Sequence, residues 1–174
     1  MFTTTTTTAV ATAGLLLGGI ATAAPATAAQ SAAASSSASA SVSQTVTARY
    51  DCGAYGVTDL TLEASASGGV GSVRISTSGG LAPFDIPADS ISATLRLERA
   101  AGGTAVFSGT ANDAAAAGQP VTIGPLTGAV SAGDSLDSYV PAAGSGDVSL
   151  SLDVLGIANT CNAVGKQTPG PIVF

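Results

Sequence analysis

The sequence predicts an all-β fold, an antiparallel β-sandwich in one domain over residues 44–174. Three observations predict it. Apolar residues recur at every second position in several short runs, as half-buried strands require. Glycine-rich turn segments separate those runs. No alternation of strand-like and helix-like segments suggests a parallel sheet.

The elements follow in chain order. In "VTARYDC", Val46, Ala48, Tyr50 and Cys52 share one face, and Thr47, Arg49 and Asp51 take the other. "LTLEASAS" repeats the pattern with Leu60, Leu62, Ala64 and Ala66. "SVRIST", "TAVFSGT" and "PVTIGPLTG" are shorter strands of the same kind. "DSISATLRLERAAGG" is ambiguous in composition, because Leu, Arg, Glu and Ala favour helix. Its unbroken alternation of Ile91, Ala93, Leu95 and Leu97 decides for a strand, with "RAAGGT" turning into the next strand as a hairpin. "VSLSLDV" closes the series with Val148, Leu150, Leu152 and Val154 inward. Tyr50 and Phe107 are expected in the core. Tyr55 and Tyr139 are the first candidates for an exposed binding surface.

The first 48 residues carry no ionisable side chain. Within them, "AVATAGLLLGGIATA" is apolar but short for a bilayer span, and small residues follow. Residues 1–23 therefore read as a signal peptide cleaved after Ala21-Thr22-Ala23, with Ala26-Thr27-Ala28 as a second site. "MFTTTTTT" lacks the basic residues usual before such a core. The amino terminus supplies the charge, or the true start lies upstream, or the segment stays as an uncleaved anchor. Residues 24–43, with "SAAASSSASASVS", read as a disordered Ala/Ser tether. The expected location is extracellular or loosely wall-associated, with no stable membrane span after cleavage.

Composition excludes more than it assigns. Charged residues make up 9% of the chain and the net charge is −6. Five basic residues in 174 are a poor match for a phosphate backbone, so no nucleic-acid partner is expected. There is no histidine, which removes the usual general base and the commonest metal ligand. No cofactor, metal or catalytic residue is expected.

Cys52 and Cys161 are the two cysteines. Zinc needs about four ligands and a catalytic cysteine needs a base, and neither is supplied. In an exported chain an even count implies pairing, so a Cys52–Cys161 disulfide is expected between the first strand and the segment after the last. "GDSLD" (133–137) spells an esterase motif, but without histidine nothing activates Ser135, and it reads as a polar loop. Asp134, Asp137 and Asp147 form one acidic cluster, read as solvated turn residues rather than a calcium site because no D-x-D-x-D-G loop is present. Lys166 lies in a Gly/Pro-rich tail and is a poor partner for a serine nucleophile. "SGGLAPFDIPADS", stiffened by Pro83 and Pro87 around Phe84 and Ile86, reads as a crossover between sheets, with an inhibitory loop as the alternative.

Tyr50-Asp51-Cys52 near the start, Thr160-Cys161 near the end, and the apolar close "GKQTPGPIVF" resemble secreted β-domains of unknown function found in actinobacteria. The resemblance spans about residues 45–174 and implies an exported, disulfide-bracketed, Ig-like sandwich without an activity. The expected role is a non-catalytic structural or interaction module whose partner is a protein or cell-wall component. The alternatives are a carrier of a small ligand and a protein inhibitor.

Overall fold

The computed structural model describes residues 43–174. The expected signal peptide and all but the last residue of the expected tether lie outside the described residues. Ten strands form in order: β1 (Gln44–Asp51), β2 (Val57–Ser67), β3 (Val70–Leu81), β4 (Ile91–Arg99), β5 (Thr104–Thr110), β6 (Pro120–Ala129), β7 (Ser135–Ser138), β8 (Leu150–Val154), β9 (Ile157–Ala163) and β10 (Ile172–Val173). Every pairing is antiparallel. Among the described residues the only helical turn is a 3-10 turn at Gly53–Tyr55.

Eight strands close on themselves in the order β4-β5-β6-β3-β2-β1-β9-β8 and back to β4. The closed ring departs from the expected Ig-like sandwich, which would leave two open sheets. β4 makes the closure possible. Its first half, Ile91–Leu95, pairs with β8, and its second half, Leu97–Arg99, pairs with β7. β8 is thereby free to carry β9 across to β1, where Tyr50 pairs with Ala163 and Asp51 with Asn162. Two seams remain thin. β1 and β9 share those two pairs. β5 and β6 share one ladder pair, Ser108 with Thr127, and beyond the end of β5 Asn112 makes an isolated bridge to Ile123. Those seams separate what a sandwich would present as its two sheets.

The alternation read from sequence sets what lies inside. β1 buries Val46, Ala48 and Tyr50 and exposes Thr45, Thr47 and Arg49. β4 buries Ile91, Ala93, Leu95 and Leu97. An eight-stranded barrel has an interior just wide enough for side chains to fill. Here Tyr50, Phe107, Leu62, Ile75, Leu95, Leu126 and Leu150 fill it, each at most 1% exposed. Polar residues face outward and apolar ones inward, the reverse of lipid-embedded barrel strands. Among the described residues no helix is long and apolar enough to cross a membrane.

Phe107 shows how closely the strands approach. It stacks on Phe174 with ring centres 6.3 Å apart. A Cβ on Gly128 would lie 2.3 Å from the Val106 carbonyl oxygen and 3.0 Å from the Phe107 ring, and one on Gly71 would lie 2.8 Å from that ring. Side chains are excluded at both positions, and the aromatic ring takes the space.

β3, β4, β5 and β6 form a Greek key, with β3 returning beside β6. Residues 82–90 are its long connection, so the crossover reading of that loop holds. Ser78–Leu81 belong to β3 rather than to the loop. Two further expectations are corrected. Ser135–Ser138, read as a loop, is β7, and Cys161, read as following the last strand, lies within β9. Cys52 and Cys161 are joined as expected, linking the end of β1 to β9.

Candidate functional site

In this antiparallel ring successive loops open at opposite rims. Gln44 begins at one, the proximal rim. β1 runs from it to the distal rim, which carries the β1–β2 loop (52–56), the crossover (82–90), the β5–β6 loop (111–119) and the β8–β9 turn (155–156).

Each distal loop is fixed by its own short-range chemistry. Asp51 accepts a hydrogen bond from the Gly53 amide at 2.9 Å, turning the chain into the 3-10 turn, and the disulfide anchors its base. The crossover is pinned by Asn112, which is 4% exposed. Its Oδ1 accepts from the Ser90 and Ile91 amides at 2.7 and 2.8 Å. Its Nδ2 donates to the Pro87 and Asp113 carbonyls at 2.7 and 2.8 Å. Every hydrogen-bonding site of the side-chain amide is thereby engaged or within reach of engagement. Ile86 bridges to Ala115 and is buried, so it is a core anchor and not part of an exposed tip. Phe84 alone of that pair points out, at 39% exposure.

The β8–β9 turn departs from local preference. Leu155 and Gly156 both have positive φ, 53° and 85°, as a two-residue hairpin turn demands. Asparagine followed by glycine is the favoured pair there, because a branched apolar side chain is disfavoured by about 1–2 kcal/mol in the left-handed region. Leu155 sits there anyway and is 52% exposed. Leu155→Asn is expected to raise stability by about 1 kcal/mol, or a few degrees in Tm, read by thermal denaturation.

Exposed bulky apolar residues gather on this rim. Tyr55, Leu81, Phe84, Leu155 and Ile157 all lie on or beside distal loops, with Val57 next to them. Elsewhere among the described residues the exposed large hydrophobics are all valines: Val70, Val106, Val140, Val164 and Val173. Of the two tyrosines expected to be exposed, Tyr55 is, at 69%. Tyr139 is half-buried near the other rim and donates to Asp147 at 3.0 Å, which pushes its pKa up.

The acidic cluster does not converge. Asp134 pairs with Arg99 and accepts from the Ser131 amide, and that amide followed by the guanidinium holds its carboxyl below the usual range. Asp137 accepts from the Ser138 and Gln167 amides. Asp147 faces Arg96 at 3.7 Å. Among the described residues no three potential metal ligands group together. Ser135 is half-buried on β7, and Lys166 pairs with Glu98.

A second locus lies near the proximal rim. A cleft of about 220 Å³ is lined by Glu98, Arg99, Ser135, Asp137 and Lys166, among others. Close by, the Tyr50 hydroxyl, Ser138 Oγ and both polar atoms of the Gln167 amide are buried and unpartnered. Nothing in the sequence signalled this, because Gln167 sits in a tail read as irregular. Ser138 faces the Tyr50 phenol without full hydrogen-bond geometry. Burial first of all pushes the Tyr50 pKa up to about 12, with the Ser138 contact opposing and Asp137 adding to the rise. A group whose folded pKa is raised contributes stability below its unfolded pKa and loses it as pH climbs. Wild type should therefore lose about 2–3 kcal/mol relative to Tyr50→Phe between about pH 10 and 12. At neutral pH Tyr50→Phe should be neutral or mildly stabilising, since the lost hydroxyl has no partner. Denaturant unfolding across pH measures both. A loss above about 1 kcal/mol at pH 7 would show the phenol to be hydrogen-bonded.

No family model matches the chain, and no curated protein or solved structure shows significant similarity to it.

Proposed function

We propose that the chain is an exported, non-catalytic structural or interaction module, secreted or held loosely at the cell wall, that presents its distal rim to a partner. The observation that carries this reading is Leu155. A large apolar side chain is kept exposed in a backbone conformation that disfavours it, and strain of that kind concentrates at functional positions. Tyr55, Phe84 and Ile157 supply further apolar area on the same rim, and aromatics such as Tyr55 and Phe84 are enriched at interface cores. The disulfide is compatible with an oxidising, extracellular setting. Export through residues 1–23 and the likeness to actinobacterial cysteine-bracketed domains belong to the same proposal. The described strands begin with Gln44 on the proximal rim, at the opposite end of the barrel from the distal loops. The inhibitor alternative rests on Phe84, carried on a crossover that Asn112 and Pro87 hold rigid. A carrier is disfavoured by an interior already filled with side chains.

The test is fractionation of the producing cells, with thiol alkylation before reduction and intact-mass analysis. A chain starting at Ala24, unalkylated and found in medium or wall, is expected. A cytosolic chain with two alkylated thiols would overturn the export reading.

A further inference from the structure

The distal rim is acidic as well as apolar. Asp51, Asp59, Asp85, Asp89, Asp113 and Asp153 lie on its loops or at the strand ends beside them, and all six are exposed. Two cations stand against them. Arg74 is bound to Asp113 at 3.1 Å, and Arg49 is the cross-strand neighbour of Asp59. The remaining cations, Arg96, Arg99 and Lys166, pair with Asp147, Asp134 and Glu98 away from this rim. The rim therefore keeps an uncompensated negative charge around Tyr55, Phe84, Leu155 and Ile157. That combination rejects three occupants. An anionic membrane is repelled, a nucleic acid is repelled, and a second copy of the same rim meets like charge across a symmetric contact.

Resting on the interaction reading above, we infer that the distal rim docks a cationic protein segment with apolar side chains between its Lys or Arg residues. The apolar residues supply the buried centre and the aspartates a charged border, the usual division between the core and rim of an interface. The aspartates raise the rate of encounter and select the sign of the partner.

Three synthetic amphipathic peptides of about five helical turns test this. They share leucine positions and carry Lys, Glu or Gln elsewhere. Each is titrated into the isotope-labelled domain while backbone amide shifts are followed. The Lys peptide is expected to shift amides in residues 52–57, 82–90 and 153–157, and to bind about tenfold more tightly than the Glu peptide, the effect of two or three exposed ion pairs. That ratio should shrink as salt rises from about 0.05 to about 0.5 M. D85N/D89N should weaken the Lys peptide about threefold. Both asparagines preserve the local backbone, since Asn accepts hydrogen bonds and tolerates the positive φ of Asp89. Y55S/L155N should weaken all rim binding. If Glu or Gln peptides bind the rim as tightly as the Lys peptide, the cationic partner is wrong and the interaction surface stands. If no peptide shifts rim amides, or the shifts fall on the proximal rim, both fall. Capture by anionic phospholipid vesicles, or a dimer formed through the rim, overturns the cationic partner.

Discussion

Replacing Cys52 and Cys161 together with alanine is expected to remove about 4–5 kcal/mol of stability, a large share of what holds a domain of this size. The bridge spans 109 positions of sequence and closes nearly all of the described chain into one loop. Cutting it returns that loop's freedom to the unfolded state, and the chain-entropy relation sets the size of the effect. It also releases one of the two thin seams. β1 and β9 pair through two residues, flanked by the Val164–Arg49 and Thr47–Thr168 backbone bonds. Urea unfolding of wild type and the double-alanine variant measures the loss at the midpoint. Hydrogen exchange should show early opening at Tyr50, Asp51 and residues 161–164. A loss under about 1 kcal/mol would mean that the seam and core already restrict the unfolded chain as much as the bridge does.

Asn112→Ala is the second large expected loss, about 3–4 kcal/mol from four hydrogen bonds at roughly 1 kcal/mol each. The Ile91 amide is buried, so its lost partner is not replaced by water as easily as that of an exposed group. Asn112→Asp keeps the two acceptor bonds but sets a carboxylate oxygen against the Pro87 and Asp113 carbonyls at a buried site, and should lose at least as much as alanine. The variant should also loosen the crossover and scatter Phe84, Asp85 and Asp89, which the amide shifts of residues 82–90 would register. Chemical denaturation gives the stability term. An Asn112→Ala loss below about 1 kcal/mol would show that backbone bonds between the loops, such as Ile86–Ala115, Ala82–Gln119 and Asp89–Asn112, hold them without the side chain.

The distal rim was half legible in the sequence. Tyr55 stood out as an aromatic outside the alternation, and Pro83 and Pro87 marked a stiff loop. Ile86 was misplaced, because an apolar residue between prolines gives no clue that its backbone will pair with Ala115 and bury its side chain. Leu155 gave no signal. "DVLGIA" reads as the end of a strand, and only the backbone places Leu155 in a positive-φ turn. Asn112 looked like any polar loop residue until the crossover was laid over it. The Tyr50, Ser138 and Gln167 group was invisible because its members lie on three separate segments.

What the sequence by itself determined is which side of each strand faces inward, since the period of two decides that locally. β1, β2, β4 and β8 followed from it, and so did the core positions of Tyr50 and Phe107; the pairing of the two cysteines followed separately, from their even count in a chain read as exported. β7 and β9 escaped it. "SLDS" buries Ser138 beside Leu136, and "IANTCNA" turns its one bulky residue, Ile157, outward, so neither carries an apolar stripe. Only the tertiary structure decided whether the sheets stay apart or close. Alternation names a strand's faces and not its neighbours. Closure depends on stagger accumulated across eight strands, on β4 dividing its edge between β7 and β8, and on β9 reaching β1 beside the disulfide. The same closure assembled the distal rim, because it brought loops scattered from residue 52 to residue 157 to one end of the barrel.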